Sequence, residues 1–285
     1  LWAEAQADQG KTKLAEETAE QALMLRQGNN PGRLNERRLL AQELWRRQRP
    51  SWALREFRYV LDHGVKGDLV TIATRESLAR MLYDRGEVLE AAQVMEELVE
   101  FYAKNPDAAN QFGVDPRMPR ARMHYYFACH YHALKDYDKQ REHLDKALAD
   151  DPDELDALIA RYHLPNQNDE YRRQTLEMIR ASAETLREII AGQPDDATWY
   201  NQLAWLVGNT EGDLDEALEL SRKSLELSPN EGAYHDTLAH VYFARKDYAN
   251  AVKHQTKAVE LDAYSKLIRD KLEVFRAAAE SNPPQ

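Results

Sequence analysis

The sequence predicts an all-α fold, an α-solenoid of helical hairpins closed by a C-terminal capping helix, and three observations carry that expectation. A set of residues recurs at a fixed interval near the C-terminus. Each recurrence reads as two amphipathic helices joined by a short polar break. Glycine and proline fall between the predicted helices far more often than inside them.

The interval is read from one unit written twice. Tyr200, Leu203, Ala204, Val207, Ala217, Ser221, Ser224 and Pro229 return 34 or 35 residues later as His235, Leu238, Ala239, Tyr242, Ala251, Gln255, Ala258 and Ala263. Within each copy, apolar or small residues step by three and four on both sides of Glu211-Gly212-Asp213 or Arg245-Lys246-Asp247, the spacing that keeps one face of a helix apolar. The alanines let two backbones approach closely, while Leu203, Leu238 and Tyr242 fill the space between them. Each large side chain so buried contributes roughly 1.5 to 3 kcal/mol before entropy is subtracted.

The motifs that make this pattern specific are Leu203-Ala204 with Asp215-Glu216-Ala217 and Ser228-Pro229-Asn230, then Leu238-Ala239-x-x-Tyr242 with Asp247-Tyr248-Ala249-Asn250-Ala251. Phe127-Ala128-x-x-Tyr131 with Asp136-Tyr137, Lys146-Ala147 and Asp151-Pro152 is a third copy, departing only at Gln140, where a small residue is usual. These motifs resemble the tetratricopeptide repeat. Two looser units precede them, Leu40-Ala41 with Leu44, Trp52-Ala53 and Phe57, and Leu78-Ala79 with Leu82, Gly86 and Ala91. Their alanines Ala15, Ala53 and Ala91 are spaced by 38 residues, which implies longer helices or turns.

The expected organisation is therefore a partial repeat over 1–30, two stretched repeats over 31–106, an inter-repeat loop over 107–120 and a repeat over 121–154. An irregular repeat with a long second helix follows over 155–197, then two regular repeats over 198–265 and the capping helix and tail over 266–285. The loop is expected from Pro106, Gly113, Pro116 and Pro119. Gly10, Gly86 and Gly212 fall inside hairpins, while Gly28, Gly64, Pro152 and Pro229 fall between units. Trp2-Ala3 sits where the tail of a first helix belongs, so the sequence reads as beginning inside a repeat, as the C-terminal part of a longer protein.

Composition narrows the function. Of 285 residues 43% are hydrophobic and 31% charged, and the apolar runs are only a few residues long, so no membrane insertion is expected. The single cysteine, Cys129, cannot form an internal disulfide. A net charge of −11 opposes a nucleic-acid partner, which would need a basic footprint. Residues 26 to 60 are the exception, with nine arginines (Arg26, Arg33, Arg37, Arg38, Arg46, Arg47, Arg49, Arg55 and Arg58) against Glu36, Glu43 and Glu56. Arg33, Arg37, Arg46, Arg47 and Arg49 are the candidate basic patch. It reads as a solvated face, as a docking surface for an acidic, phosphorylated or nucleic-acid ligand, or as a self-association surface for the acidic part around Asp195, Asp196, Glu211, Asp213, Asp215, Glu216 and Glu219.

No glycine-rich phosphate loop, His-Glu-x-x-His, Cys-x-x-Cys or Gly-x-Ser-x-Gly motif is present. The carboxylates sit among lysines and arginines. The sequence is accordingly read as non-catalytic, with no cofactor. Cys129 and His132, three apart, could offer two soft ligands, but two ligands do not make a site, and the run from His124 to His132 reads as an aromatic packing stripe rather than a metal centre.

The resemblance implies a protein-protein interaction scaffold, with the first helix of each hairpin lining a concave groove for a peptide or protein partner. Carried residue by residue, the groove positions are Arg38, Gln42 and Trp45; Glu76, Arg80 and Tyr83; Tyr125, Cys129 and His132; Asn201 and Trp205; and Asp236, His240 and Phe243. Rings there supply rigid apolar area, and amide or guanidinium groups pin a backbone or carboxylate. The competing reading is that several of these rings pack between helices. Asn201 fits the asparagine of the family's carboxylate clamp, but the flanking lysines and arginine are missing, so chaperone-tail binding is not expected. The alternative function is a regulatory or substrate-recruiting module of an enzyme whose catalytic domain lies upstream.

Overall fold

In a computed structural model, residues 2–25 and 30–282 are described. Leu1, Arg26 and Gly28 lie outside them. Among the described residues the chain is wholly helical, without strands: α1 (Trp2–Asp8), α2 (Thr12–Leu25), α3 (Pro31–Arg46), α4 (Pro50–His63), α5 (Leu69–Asp84), α6 (Val88–Lys104), α7 (Pro106–Phe112), α8 (Arg117–Ala133), α9 (Tyr137–Asp150), α10 (Leu155–Tyr162), α11 (Asp169–Gly192), α12 (Ala197–Gly208), α13 (Leu214–Leu227), α14 (Gly232–Ala244), α15 (Tyr248–Leu261) and α16 (Lys266–Ser281). Helices pack as neighbours along the chain: α1 on α2, α3 on α4, α5 on α6, α8 on α9, α10 on α11, α12 on α13 and α14 on α15, with α16 closing the array on α15. The architecture is an all-α tetratricopeptide-type solenoid with a C-terminal cap.

Sequence sets the helix starts. The side chains of Asn30, Asp68, Asp136, Asn168, Asp196, Asp213, Asp247 and Ser265 each accept a hydrogen bond from a backbone N–H in the first turn that follows. Each satisfies a donor that the helix itself cannot. The small residues occupy the helix crossings. Ala41, Ala53, Ala79, Ala91, Ala147, Ala204, Ala217, Ala239, Ala251 and Ala258 are all at most 1% exposed, and Phe57, Leu78, Leu82, Leu144, Leu203 and Leu238 pack beside them.

Five of the hairpins share one turn. A residue with positive φ follows the first helix: Gly10, Gln48, Gly86, Lys135 and Lys246, with φ of +75°, +60°, +80°, +58° and +63°. In each, that residue's N–H bonds back three residues and the next N–H bonds back five, as from Gly86 to the Tyr83 carbonyl (2.8 Å) and from Glu87 to the Leu82 carbonyl (2.9 Å). The turn therefore caps the first helix and aims the second back along it. Glycine takes this conformation freely, whereas Gln48, Lys135 and Lys246 adopt it against the clash of their Cβ.

Residues 107–120 are not a loop. Pro106 opens α7 at its first position, where a missing N–H does no harm, and Gly113 at φ +64° ends it in a left-handed cap. Arg117 to Arg120 already belong to α8. Because α6 packs directly on α8, α7 is an excursion at the side of the array. In the next hairpin, α10 has 8 residues and α11 has 24, so the pairing is unequal.

Candidate partner-binding surface

The first helices of successive hairpins are joined by a row of polar and aromatic contacts. From α3 to α5, the Gln42 amide donates to Ser77 Oγ at 3.1 Å. From α5 to α8, the hydroxyls of Tyr83 and Tyr125 meet at 2.7 Å, and the ring of Tyr83 stacks on Tyr126 at 4.9 Å. Arg122 of α8 reaches Glu154 and Asp156 at the start of α10, each at 3.0 Å. The Trp205 indole of α12 donates to Asp156 at 3.0 Å and its ring lies 4.9 Å from His240 of α14. His240 and Phe243 then meet Phe275 of α16 at 5.2 and 4.4 Å.

Of the predicted groove residues this row includes Gln42, Tyr83, Tyr125, Trp205, His240 and Phe243, and it places them at different depths. Tyr125 and His240 are 7% and 9% exposed and are packing residues. Burial raises the Tyr83 and Tyr125 phenols well above their usual pKa and pushes the Cys129 thiol up to about 12. Burial likewise lowers the His240 imidazole to about 3, so it is neutral, with Nδ1 2.7 Å from Asn209 Oδ1. Asp236 is raised to about 6 by burial, although Gln255 donates to it. Arg38 is held by Asn35 (3.0 Å), and His132 is exposed beside Gln140 (3.3 Å).

Three further groups lie on the first helices α3, α5 and α12. Arg80 is exposed and closes no hydrogen bond or ion pair, standing within electrostatic reach of Asp84 and Asp262. The enclosed indole nitrogen of Trp45 and the enclosed side-chain oxygen of Asn201 have no partner. Glu76 is exposed on α5, one helical turn before Arg80. Asp84, one step beyond Tyr83, is raised to about 7 by burial, with Arg80 opposing the shift and Asp262 and Asp156 adding to it.

The basic patch disperses once folded. Arg37 is 1% exposed, binds Glu56 at 2.6 Å and lies 3.9 Å over the Tyr59 ring, so it joins α3 to α4 rather than facing solvent. Arg46 pairs with Glu43, Arg47 with Glu43 and Glu4, and Arg49 with Asp8. Arg33 is exposed.

Sequence reasoning missed Asp84, Arg122, Tyr126, Asp156, Tyr264 and Phe275. Glu154 and Asp156 follow the unit boundary at Asp151-Pro152, and Phe275 lies on the apolar stripe of the cap; those were the available signals. Among the described residues no group of three or more His, Cys, Asp or Glu could hold a metal ion, and no helix is long and apolar enough to cross a membrane.

Residues 38–109 match one tetratricopeptide repeat model and residues 233–264 match another. Those two stretches carry tetratricopeptide repeats. No curated protein matches it in sequence. A solved tetratricopeptide repeat protein from Parabacteroides merdae is 18% identical over 96% of each chain, with a TM-score of 0.46. A thermophilic one from Thermus thermophilus is 17% identical over 71% of this chain and 97% of its own, with a TM-score of 0.42. YrrB, a tetratricopeptide protein with an unusual peptide-binding site, is 16% identical over 76% of this chain and 97% of its own, with a TM-score of 0.32.

Proposed function

We propose that the chain is a non-catalytic scaffold that holds a peptide or protein partner against the face formed by its first helices. The observation that carries this reading is the trio of Arg80, Trp45 and Asn201. A buried donor or acceptor left unpaired costs about 1 to 3 kcal/mol, so a partner that supplies the missing bond gains that much at the Trp45 nitrogen and the Asn201 oxygen, while the exposed Arg80 guanidinium offers a charge for an acidic group. The adjoining rings add rigid apolar contact area.

The arginine segment supports an anion-binding surface less well, since Arg46, Arg47, Arg49, Arg55 and Arg58 already face carboxylates of the same chain. Self-association through the acidic part meets the same objection, because Glu216 pairs with Arg187 and Asp215 with Arg245.

The test is a pull-down comparing the native chain with a Glu76→Ala, Arg80→Ala, Asn201→Ala variant, with retained proteins identified by mass spectrometry. Proteins held by the native chain and lost by the variant support the reading. Matching eluates refute it.

A further inference from the structure

The turn after α15 lies against hairpins near the other end of the array. Tyr264 stands edge-on to Trp45 of α3, with centroids 5.3 Å apart and planes at 62°. The Lys266 chain runs over Gly86, where an added Cβ would come within 3.1 Å of its Cδ. Asp262 and Tyr264 lie within electrostatic reach of Arg80 and Asp84. Neither α3 nor α5 packs along its length against α15 or α16, so this contact is made by a turn and a few side chains.

We propose that the surface formed by α3, α5 and the turn at Gly86, bearing Trp45 and Arg80, is a docking site for a peptide that carries a carboxylate followed two residues later by an aromatic ring, and that the segment 262–266 is its resident occupant. The inference rests on reading this face as the partner-binding surface and names the partner's chemistry. The occupant is the template: Asp262 supplies the carboxylate and Tyr264 the ring, joined by a hydrogen bond from the Tyr264 hydroxyl to Asp262 at 3.1 Å.

The resident fit is incomplete in the ways a competitor would exploit. Arg80 makes no ion pair with Asp262, although a guanidinium binds a well-placed carboxylate bidentately. The Trp45 indole N–H stays unpaired, and an extended peptide offers carbonyls to accept it. Asp84 is raised first by burial and then by the Asp262 carboxylate, and Asp262 is itself raised by burial and then by Glu231, so the seated turn adds negative charge where negative charge is already disfavoured. A peptide docking elsewhere on this face would not displace the turn. One docking here must, so its apparent affinity is reduced by the fraction of chains whose turn is seated.

The experiment is fluorescence anisotropy with a labelled peptide of residues 258–268, titrated with the intact chain and with its Tyr264→Ala variant, whose turn has lost its anchor. The expected result is binding about tenfold tighter or more to the variant. That gain is expected to vanish when Trp45→Phe or Arg80→Gln is added, or when the peptide carries Asp262→Asn. Circular dichroism of each variant establishes that the helices are intact. Equal affinity for the native chain and Tyr264→Ala, no binding to either, or binding that survives the Arg80 and Trp45 changes overturns the proposal. So does a Tyr264→Ala effect confined to concentration-dependent sedimentation, which would make the contact one between copies. The scaffold reading stands or falls separately: partner loss in the Glu76, Arg80, Asn201 variant without peptide binding here leaves it standing.

Discussion

The indole of Trp45 in the second hairpin meets the phenol of Tyr264, beyond the last hairpin, edge to face at 5.3 Å. Residues far apart in an extended array have no reason to touch unless the array curves back on itself. The pair therefore reports the curvature of the whole solenoid as well as a local attraction, which for such rings is about 0.5 to 1.5 kcal/mol. A double-mutant cycle of Trp45→Ala and Tyr264→Ala in urea unfolding is expected to give a coupling of about that size. Small-angle scattering of Tyr264→Ala should show a larger radius of gyration. A coupling near zero would mean the rings are neighbours without consequence.

The shared hairpin turn gives a signed prediction. Lys246 and Lys135 hold a left-handed conformation that suits glycine, so Lys246→Gly is expected to raise stability by up to about 1 kcal/mol. Gly86→Ala should lower it by about 1 kcal/mol or more, because the residue keeps φ +80° and its new Cβ presses on Lys266. Thermal unfolding of the two variants beside the native chain checks both signs.

The buried pair Arg37–Glu56 and the exposed pair Arg46–Glu43 should behave oppositely. Glu56→Ala removes the carboxylate that balances the charge of a guanidinium 1% exposed and is expected to destabilise the chain by about 3 to 5 kcal/mol. Glu43 is open to water on α3, and removing it should change stability by less than about 1 kcal/mol. Urea midpoints measured at two salt concentrations separate the cases, since only the exposed pair is screened.

Two histidine pairs set an acid limit. His124 with His143 and His235 with His254 place their Nδ1 atoms 3.1 and 3.2 Å apart. Burial, then the partner imidazole, lowers His124 and His254 to about 4. With the folded pKa below the unfolded value, the unfolded chain binds more protons in between, so stability is intact above about pH 6.5 and declines as pH falls towards 4. Asp84 has the opposite sign: raised to about 7, it favours the folded state at low pH and loses that contribution as pH rises through 7. Unfolding across pH 4 to 8 should therefore show a shallower acid slope in His124→Gln, His254→Gln and greater stability above pH 7 in Asp84→Asn.

The hairpins were legible in the sequence because their information is local. Ala204, Ala217, Ala239 and Ala251 must be small where helices cross, and Asp213 and Asp247 must cap, so spacing alone exposes them. The α7 helix was hidden because proline and glycine mark a helix start and a helix stop as readily as a loop, and Pro106 and Gly113 do the former. The arginine segment misled for a different reason. Its counter-charges, Glu4, Asp8, Glu16 and Glu90, lie on other helices, so a local charge count cannot register them. Tyr264 falls at the end of the last predicted repeat, and nothing near it in sequence points to Trp45.

The contact between the turn 262–266 and the hairpins of Trp45 and Gly86 also gives the array a circumference. An open row of repeats tolerates one more unit or one fewer, since each unit touches only its neighbours. Here the distance around the row has to bring Tyr264 to Trp45, so deleting or duplicating any hairpin between α5 and α15 would part the two surfaces even if every helix still folded.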